Sequence, residues 1–323
     1  MKKLVAKLFV TLVFAGLLSV CAESSVLRAY GAEKPVRIAF MVNKLSSAFW
    51  RDVEQGAKDA SAELGYEINI LCPTTPDSNE EQIQLLEQSL INPPTIFVIT
   101  PADANGITPA IEMINEAGIP IVNYNSRFLD KSVECLTFVG VDKYELAKQA
   151  AEALIEKLNG KGKVLMLEGV TGSQTSIDIK NGALEALRAV PGIELLDSQP
   201  ANYLRTDGLS VTQNLLQKYP EVDAIFAANA ESAMGAAEAI RQSGRKDIKI
   251  ATLNMSDEVA QAILNGVLAV VVDDVPYDVG RNCVLTVQDY LGGKDIPKDV
   301  MLNGVLVELD SIDPYVGKYG LKK

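Results

Sequence analysis

The chain has 323 residues, 48% of them hydrophobic, and a formal net charge of −12. The hydrophobic content excludes a disordered protein, the length predicts two domains at about 150 residues each, and the acidic balance excludes a nucleic-acid partner. The absence of histidine excludes Ser-His-Asp and Cys-His catalytic systems and histidine-ligated metal sites.

The N-terminal segment has the pattern of an export signal. Three lysines precede or flank the start of the uncharged apolar run 8–20, which is too short to cross a bilayer comfortably. A basic start, a short apolar centre and small residues after it are typical of a signal peptide. We predict that residues 1–22 are removed, or that cleavage occurs as late as residue 32, and that the mature protein is exported. Lipidation of Cys21 and retention of the segment as an anchor are the alternatives.

The cysteines indicate no metal site. Once Cys21 is removed, Cys72, Cys135 and Cys283 remain, and an odd number of widely spaced cysteines fits neither full disulfide pairing nor a zinc motif. We therefore predict buried or free thiols. One disulfide is the alternative in an oxidising compartment.

From Val36 onward, apolar runs rich in β-branched residues alternate with segments of helical periodicity. The predicted strands are 36–42, 67–72, 95–100, 119–124, 136–141, 162–169, 193–197, 223–229, 248–254 and 267–274. Between the first two, the residues Val53, Ala57, Ala60 and Leu64 lie on one face of a predicted helix that ends at Gly65. Continuous apolar strands are typical of parallel sheets covered on both faces. About ten strands exceed one ordinary sheet, so we predict an α/β fold with two similar doubly wound lobes.

In doubly wound sheets, ligands bind beyond the carboxyl ends of the strands. Asparagine recurs at this position, as Asn43, Asn125, Asn229 and Asn254. An amide donates and accepts hydrogen bonds at once, which favours a neutral ligand rich in hydroxyl groups. The alternative is that these residues are turn and N-cap residues.

Two stretches resemble a known family. The segments "IAFMVNKLSSAFWRDVEQGAKDASAELGY" and "DSQPANYLRTDGLSVTQNLLQKYPEVDAIFAANAESAMGA" are similar to periplasmic sugar-binding proteins of the ribose-binding type, relatives of the ligand-binding core of LacI-like repressors. The resemblance implies a type I periplasmic binding protein fold, whose two lobes are joined by a three-strand hinge, with crossovers near residues 141, 274–275 and 303–304. One lobe would combine residues 35–140 and 275–303, and the other residues 141–274 and 304–323. A signal peptide in place of a DNA-binding motif favours the periplasmic branch.

The resemblance also implies a set of ligand-binding residues. Matched position by position, with the arginine after the fourth strand displaced by one, they are Asn43, Ser47, Phe49, Trp50, Thr100, Asn125, Arg127, Tyr203, Asn229, Asn254 and Asp274. In the family, rings at the positions of Phe49, Trp50 and Tyr203 flank the sugar, because its C–H faces stack on aromatic rings. The alternative is that Phe49 and Trp50 only pack at the start of the helix.

Several positions depart from a ribose-type site. Asn125 and Ser126 replace an Asp–Arg pair, Ile177 replaces an arginine, Asn254 an aspartate and Asp274 a glutamine. Fewer charged partners imply a more neutral site, suited to a modified or deoxy sugar, a polyol or an autoinducer-2-like molecule. For a cationic ligand, Asp178 and Asp274 would be the counter-ions.

The expected function follows from the resemblance. We expect a monomeric periplasmic solute-binding protein that captures a small sugar-like ligand and delivers it to an ABC-type permease. The alternative is a sensor that presents the ligand to a membrane histidine kinase or chemoreceptor. We expect no cofactor. We also expect no catalysis, since a glycosidase needs two facing carboxylates and the sequence places only Asp178 and Asp274 near the ligand.

Overall fold

The computed structural model describes residues 35–322, in which twelve strands alternate with ten α-helices. Residues 1–34 and Lys323 are not described, so the predicted signal peptide and Cys21 lie outside the described residues. From Arg37 onward the chain forms one compact unit, which contains two predominantly parallel sheets.

The first sheet has six parallel strands in the order β11-β5-β4-β3-β1-β2. They are β1 (Arg37–Met41), β2 (Glu67–Leu71), β3 (Ile96–Ile99), β4 (Ile121–Tyr124), β5 (Thr137–Val141) and β11 (Asp299–Leu302). The helices that accompany this sheet are α1 (Ala48–Leu64), α2 (Asn79–Ser89), α3 (Thr108–Glu116) and α9 (Pro276–Leu291). We call this sheet and its helices the first lobe.

The second sheet has the order β12-β10-β9-β8-β6-β7. Its strands are β6 (Gly162–Glu168), β7 (Ile193–Pro200), β8 (Ala224–Ala227), β9 (Lys249–Leu253), β10 (Val270–Asp273) and β12 (Val305–Val307). Only β12 runs antiparallel to its neighbour. The helices of this second lobe are α4 (Lys143–Lys157), α5 (Gln174–Ala189), α6 (Arg205–Lys218), α7 (Ala230–Gln242), α8 (Asp257–Leu264) and α10 (Asp313–Tyr319).

The two sheets repeat one topology. Strands β6 to β10 follow the order of β1 to β5, and each sheet gains one edge strand from the C-terminal part of the chain. The chain passes between the sheets after β5, after β10 and after β11. The prediction of two similar doubly wound α/β lobes is therefore confirmed.

Local sequence accounts for the buried face and the end of α1. In α1 the stripe residues Val53, Ala57 and Ala60 are fully buried, whereas Leu64 in the last turn is only half-buried. Gly65 ends the helix with a left-handed φ of 68°, which glycine adopts without a steric penalty. All ten predicted strands are present. The thiols of Cys72, Cys135 and Cys283 are free, as predicted.

The strands β11 and β12 were missed by the sequence analysis. Each has only three or four residues, and alternate residues of β11 are exposed. A continuous apolar run is the signal of a buried strand, and these edge strands lack one. Strand β7 also continues to Pro200, beyond the predicted end at residue 197. The sequence did not predict this extension, because the last residues of β7 are polar and lie on an edge strand.

Candidate functional site

The predicted site residues lie where parallel strands end. In each sheet the strand order reverses beside the first strand, at β1 between β2 and β3 and at β6 between β7 and β8. Such switch points open a crevice at the carboxyl ends of the strands. We call the region in which these loops of the two lobes meet the cleft.

In the first lobe, Asn43 and Thr100 are held by a glutamine from α2. The fully buried Gln82 donates from Nε2 to Asn43 Oδ1 at 2.8 Å and to the Thr100 carbonyl at 3.2 Å. Its Oε1 accepts from the amide of Ala102 at 2.8 Å. One side chain thus joins the loops that follow β1 and β3. The Thr100 hydroxyl is buried and has no hydrogen-bond partner among the described residues.

The aromatic residues form a continuous group at the start of α1. The Phe49 and Trp50 rings meet edge to face at 4.9 Å between centroids, and Trp50 meets Tyr124 at 6.3 Å. Tyr124 is fully buried, and its hydroxyl donates to the Met41 carbonyl at 2.5 Å. Trp50 is only 7% exposed, whereas Phe49 is half-buried. Trp50 therefore packs in the core of the first lobe as well as at the predicted site.

In the second lobe, Tyr203 has an unusual backbone and an unpaired hydroxyl. Its φ is 59°, a left-handed conformation that is uncommon for a bulky residue. Gly169 permits its ring position, since a Cβ there would lie 2.1 Å from the ring. Burial raises the pKa of Tyr203 to about 12. Ser176 lies beside the hydroxyl, but no described residue hydrogen-bonds to it with ordinary geometry.

The asparagines after β8 and β9 are engaged by the protein. Asn229 caps α7, since its Oδ1 accepts from the Ser232 amide at 3.0 Å, and its Nδ2 donates to the Tyr203 carbonyl at 3.2 Å. The N-cap alternative therefore holds for Asn229. Asn254, with a φ of 72°, donates from Nδ2 to Asp274 Oδ2 at 2.8 Å.

Asp274 lies at the end of β10 in a buried ion pair. Its Oδ2 accepts from Lys143 Nζ at 2.6 Å, and the two side chains are 0% and 10% exposed, respectively. Its Oδ1 is buried and has no partner among the described residues. Lys143 Nζ also lies 5.3 Å from the centroid of the Phe49 ring in the first lobe. This group of residues joins the two lobes across the cleft.

The neighbouring carboxylate faces the other way. Asp273 accepts from the Tyr315 hydroxyl at 2.8 Å and from the Val275 amide at 3.0 Å. Burial, together with the charge of Asp274, raises the pKa of Asp273 to about 6. Val275 has a φ of 46°, which is a steric outlier for a β-branched residue at a crossover between the lobes.

The remaining predicted residues, Arg127, Asn125 and Ser47, lie apart from the contacts described above. Arg127 is exposed, pairs with Asp299 at 2.6 Å and lies 3.8 Å over the Phe138 ring. These partners are on β5 and β11, so the guanidinium is engaged at the far edge of the first sheet. Asn125 has a φ of 56°, and Ser47 precedes α1 without a side-chain cap. In the part of the chain that the structure describes, no hydrogen bond, ion pair or ring contact joins these three side chains to the other predicted residues.

The described residues hold no cluster of three or more His, Cys, Asp or Glu side chains that could ligate a metal ion. Within residues 35–322, the structure also has no helix of the length and apolar character needed to cross a membrane.

Comparison with known proteins identifies the family to which this fold belongs. A model of the periplasmic binding protein domain matches residues 38–295. The chain belongs to this family. This periplasmic binding protein is 28% identical over 285 residues to the ribose import binding protein RbsB of Escherichia coli, covering 87% of the chain and 93% of the relative. It is 28% identical over 271 residues to the D-allose-binding periplasmic protein of the same organism, covering 81% and 86%, respectively.

A solved structure agrees with these relatives. The periplasmic solute-binding protein of an ABC transporter from Actinobacillus succinogenes, with bound D-allose, is 26% identical and has a TM-score of 0.83. The match covers 87% of this periplasmic binding protein and 100% of the solved chain. The resemblance to the ribose-binding type is thereby confirmed.

Sequence reasoning missed Gln82 and Lys143. Gln82 lies inside α2, where the rule that ligands bind after strands does not apply. Lys143 follows β5 by two positions, so the same rule, applied to the end of that strand, would have reached it.

Proposed function

We propose that this protein is an extracytoplasmic solute-binding protein that captures a small neutral sugar-like ligand between its lobes and delivers it to an ABC-type transporter. One observation carries the proposal. The Thr100 hydroxyl, the Tyr203 hydroxyl and Asp274 Oδ1 are buried polar atoms that have no partner among the described residues. Buried polar atoms are normally hydrogen-bonded, and these three belong to the predicted site residues of both lobes.

A polyhydroxyl ligand suits these atoms. Its hydroxyl groups both donate and accept, so one molecule can satisfy two hydroxyl groups and a carboxylate oxygen. The half-buried ring of Phe49 offers a face for the C–H side of a sugar. We propose Asn43, Ser47, Asn125 and Asn254 as further ligand residues, with Arg127 as the least supported one because its guanidinium is engaged elsewhere.

Delivery to a permease is favoured by the relatives, which are named as import-binding and periplasmic proteins. Capture then proceeds by hinge rotation, since contacts from both lobes favour the closed state. We propose the lobe boundaries at residues 141, 274–275 and 303–304, a monomeric state, a periplasmic location, no cofactor and no catalytic activity. The sensor alternative would be favoured if the purified protein bound a sensor kinase and failed to stimulate the ATPase of its permease.

A thermal-shift screen tests the ligand. The protein, beginning at Glu33, is unfolded, refolded to remove any co-purified molecule and heated with pentoses, hexoses, deoxy and amino sugars, polyols, nucleosides and autoinducer-2. A ligand at 100 times its Kd stabilises the folded state by about 2.7 kcal/mol, which a melting curve detects. A hit among the neutral sugars and polyols supports the proposal, and a response to none of them contradicts it.

A further inference from the structure

Lys143 is a largely buried cation in the second lobe that the family resemblance did not assign. It begins α4, directly after the crossover from β5, and its side chain is 10% exposed. Its ammonium donates to Asp274 Oδ2 at 2.6 Å, although 131 positions separate the two residues. Asp274, which also accepts a hydrogen bond from Asn254, is therefore already neutralised within the protein. The neighbouring Asp273 faces Tyr315 instead.

The pair leaves unused hydrogen-bonding capacity on both partners. Asp274 Oδ1 has no partner among the described residues, and an ammonium carries three donors, of which Lys143 uses one here on Asp274. The ammonium also lies 5.3 Å from the Phe49 ring centroid. Since Phe49 is on the opposite lobe, the ammonium lies where the two lobes meet.

We propose that Lys143 determines the charge specificity of the cleft. With Asp274 it forms a neutral donor–acceptor pair, in which a ligand hydroxyl donates to Asp274 Oδ1 while a neighbouring ligand oxygen accepts from Lys143 Nζ. A cationic ligand would instead bring a second positive charge beside a buried ammonium without a free counter-ion, which is unfavourable in a desolvated site. This inference rests on the proposed function and names its ligand class, a neutral polyhydroxyl compound with adjacent oxygens. It rejects the cationic ligand that Asp274 by itself suggested.

The test uses a charge-matched pair of probes. D-Allose and D-allosamine differ by one hydroxyl that is replaced by an amine, and both are titrated at a pH at which the amine is protonated. We expect wild-type protein to bind D-allose more tightly than D-allosamine. In Lys143→Met, affinity for D-allose should fall about tenfold or more, since a charge-assisted hydrogen bond is lost, and the preference should reverse towards D-allosamine.

The control is Lys148→Met. Lys148 lies on the same helix but pairs with Glu185 of α5 at 2.6 Å on a more exposed face. The Lys148→Met substitution should leave the ratio of the affinities for D-allose and D-allosamine unchanged. An unchanged ratio in Lys143→Met as well would overturn the inference.

A second arm needs no sugar, so it separates failure of the inference from failure of the proposed function. In Lys143→Ala, methylammonium chloride should restore a counter-ion to Asp274 and raise Tm by about 2–4 °C. Wild type and Lys148→Ala should not respond beyond a matched sodium chloride control. If wild type binds no neutral sugar or polyol, the proposed function fails, while a missing methylammonium response overturns the inference.

A third variant covers the case in which an unpaired Asp274 prevents folding. The variant Lys143→Met/Asp274→Asn carries no charge in this pair and should fold. Its affinity for D-allose should be at least about tenfold lower than that of wild type. It should not bind D-allosamine more tightly than D-allose. Wild-type affinity and selectivity in this variant would overturn the inference.

Discussion

Adjacent carboxylates at the end of β10 serve different parts of the molecule. Successive side chains of a strand point to opposite faces. Asp273 accordingly meets Tyr315 of α10, while Asp274 meets Lys143 and Asn254 in the cleft. The two carboxylates thus bind separate partners on opposite sides of the strand. Their charges still interact, since Asp274 contributes to the raised pKa of Asp273.

Asp273→Asn should change how stability depends on pH. The pKa of Asp273 is raised from 3.8 to about 6 in the folded state, so the folded state binds a proton more tightly than the unfolded state. In wild type this group should therefore stabilise the fold as pH falls from about 7 to about 4, by a few kcal/mol at most. Asparagine removes this contribution, so the variant should be more stable relative to wild type above pH 6 than below it. Its free energy of unfolding should also change less with pH between about 7 and about 4.

Urea denaturation at a series of pH values measures the effect. Asp310→Asn is the control, since Asp310 is exposed. A pH profile of Asp273→Asn that parallels wild type would show that Asp273 does not titrate in this range.

Trp50→Ala should lower stability as well as affinity. Trp50 is 7% exposed and packs on Tyr124, and truncating a buried tryptophan costs about 3 kcal/mol or more. Phe49→Ala is the matched comparison, because the half-buried Phe49 ring should lose affinity for D-allose with a smaller loss of stability. Denaturation and calorimetric titration separate the two effects. If Trp50→Ala kept wild-type stability, its ring would belong to the ligand site alone.

At the scale of elements, two helices of the first lobe are in unusually close contact. A Cβ on Gly56 of α1 would lie 1.9 Å from the Tyr277 carbonyl oxygen, and a Cβ on Gly280 of α9 would lie 2.0 Å from the Val53 carbonyl oxygen. The helix α9 starts directly after the crossover from the second lobe. This close packing therefore anchors one strand of the hinge to the helix that carries Phe49 and Trp50.

Gly56→Ala should destabilise the protein by about 1–3 kcal/mol, because the added methyl forces α1 and α9 apart. Gly317→Ala is the control. Gly317 lies in α10 with nothing within 4 Å of the added Cβ, so alanine should stabilise by about 0.5–1 kcal/mol. Thermal unfolding of both variants tests the contrast, and equal effects would contradict a packing explanation.

At the scale of the whole molecule, few contacts of charged side chains join the lobes outside the crossovers among residues 35–322. Besides Phe49 and Lys143, Lys318 of α10 lies 3.4 Å from Asp52 of α1. Both contacts involve α1, so this helix meets the second lobe on the cleft side and beside the crossovers. A small number of contacts is compatible with opening by hinge rotation.

Lys318→Met should shift the protein towards the open form. The pair is partly exposed, so its loss should change the free energy of unfolding by only about 0–1 kcal/mol. The radius of gyration of the ligand-free protein should increase in small-angle scattering, and saturating D-allose should return it to the wild-type closed value. Lys322→Met, which alters an exposed lysine near the same terminus, is the control. Equal scattering curves for the variant, the control and wild type would contradict a role of this pair in closure.

Some elements of the fold could be predicted from the sequence and others could not. The ten apolar strands and the end of α1 at Gly65 were predicted, because continuous apolar runs, helical stripes and a helix-ending glycine are local signals. The strands β11 and β12 were not, because their pairing partners lie far along the chain and their own residues are partly exposed. In the site, the aromatic and asparagine positions were predicted from strand ends and family resemblance, whereas the setting of each side chain was not.

The sequence by itself determined the α/β alternation, the doubling of the fold and the loops that border the cleft, since burial along a chain imposes periods that can be read residue by residue. Only the tertiary structure decided that Lys143 neutralises Asp274, that Gln82 holds Asn43, that Arg127 is engaged with Asp299 and that Trp50 is buried. Those contacts join residues 39 to 172 positions apart. They depend on which strand ends converge when two sheets assemble, and no local pattern encodes that convergence.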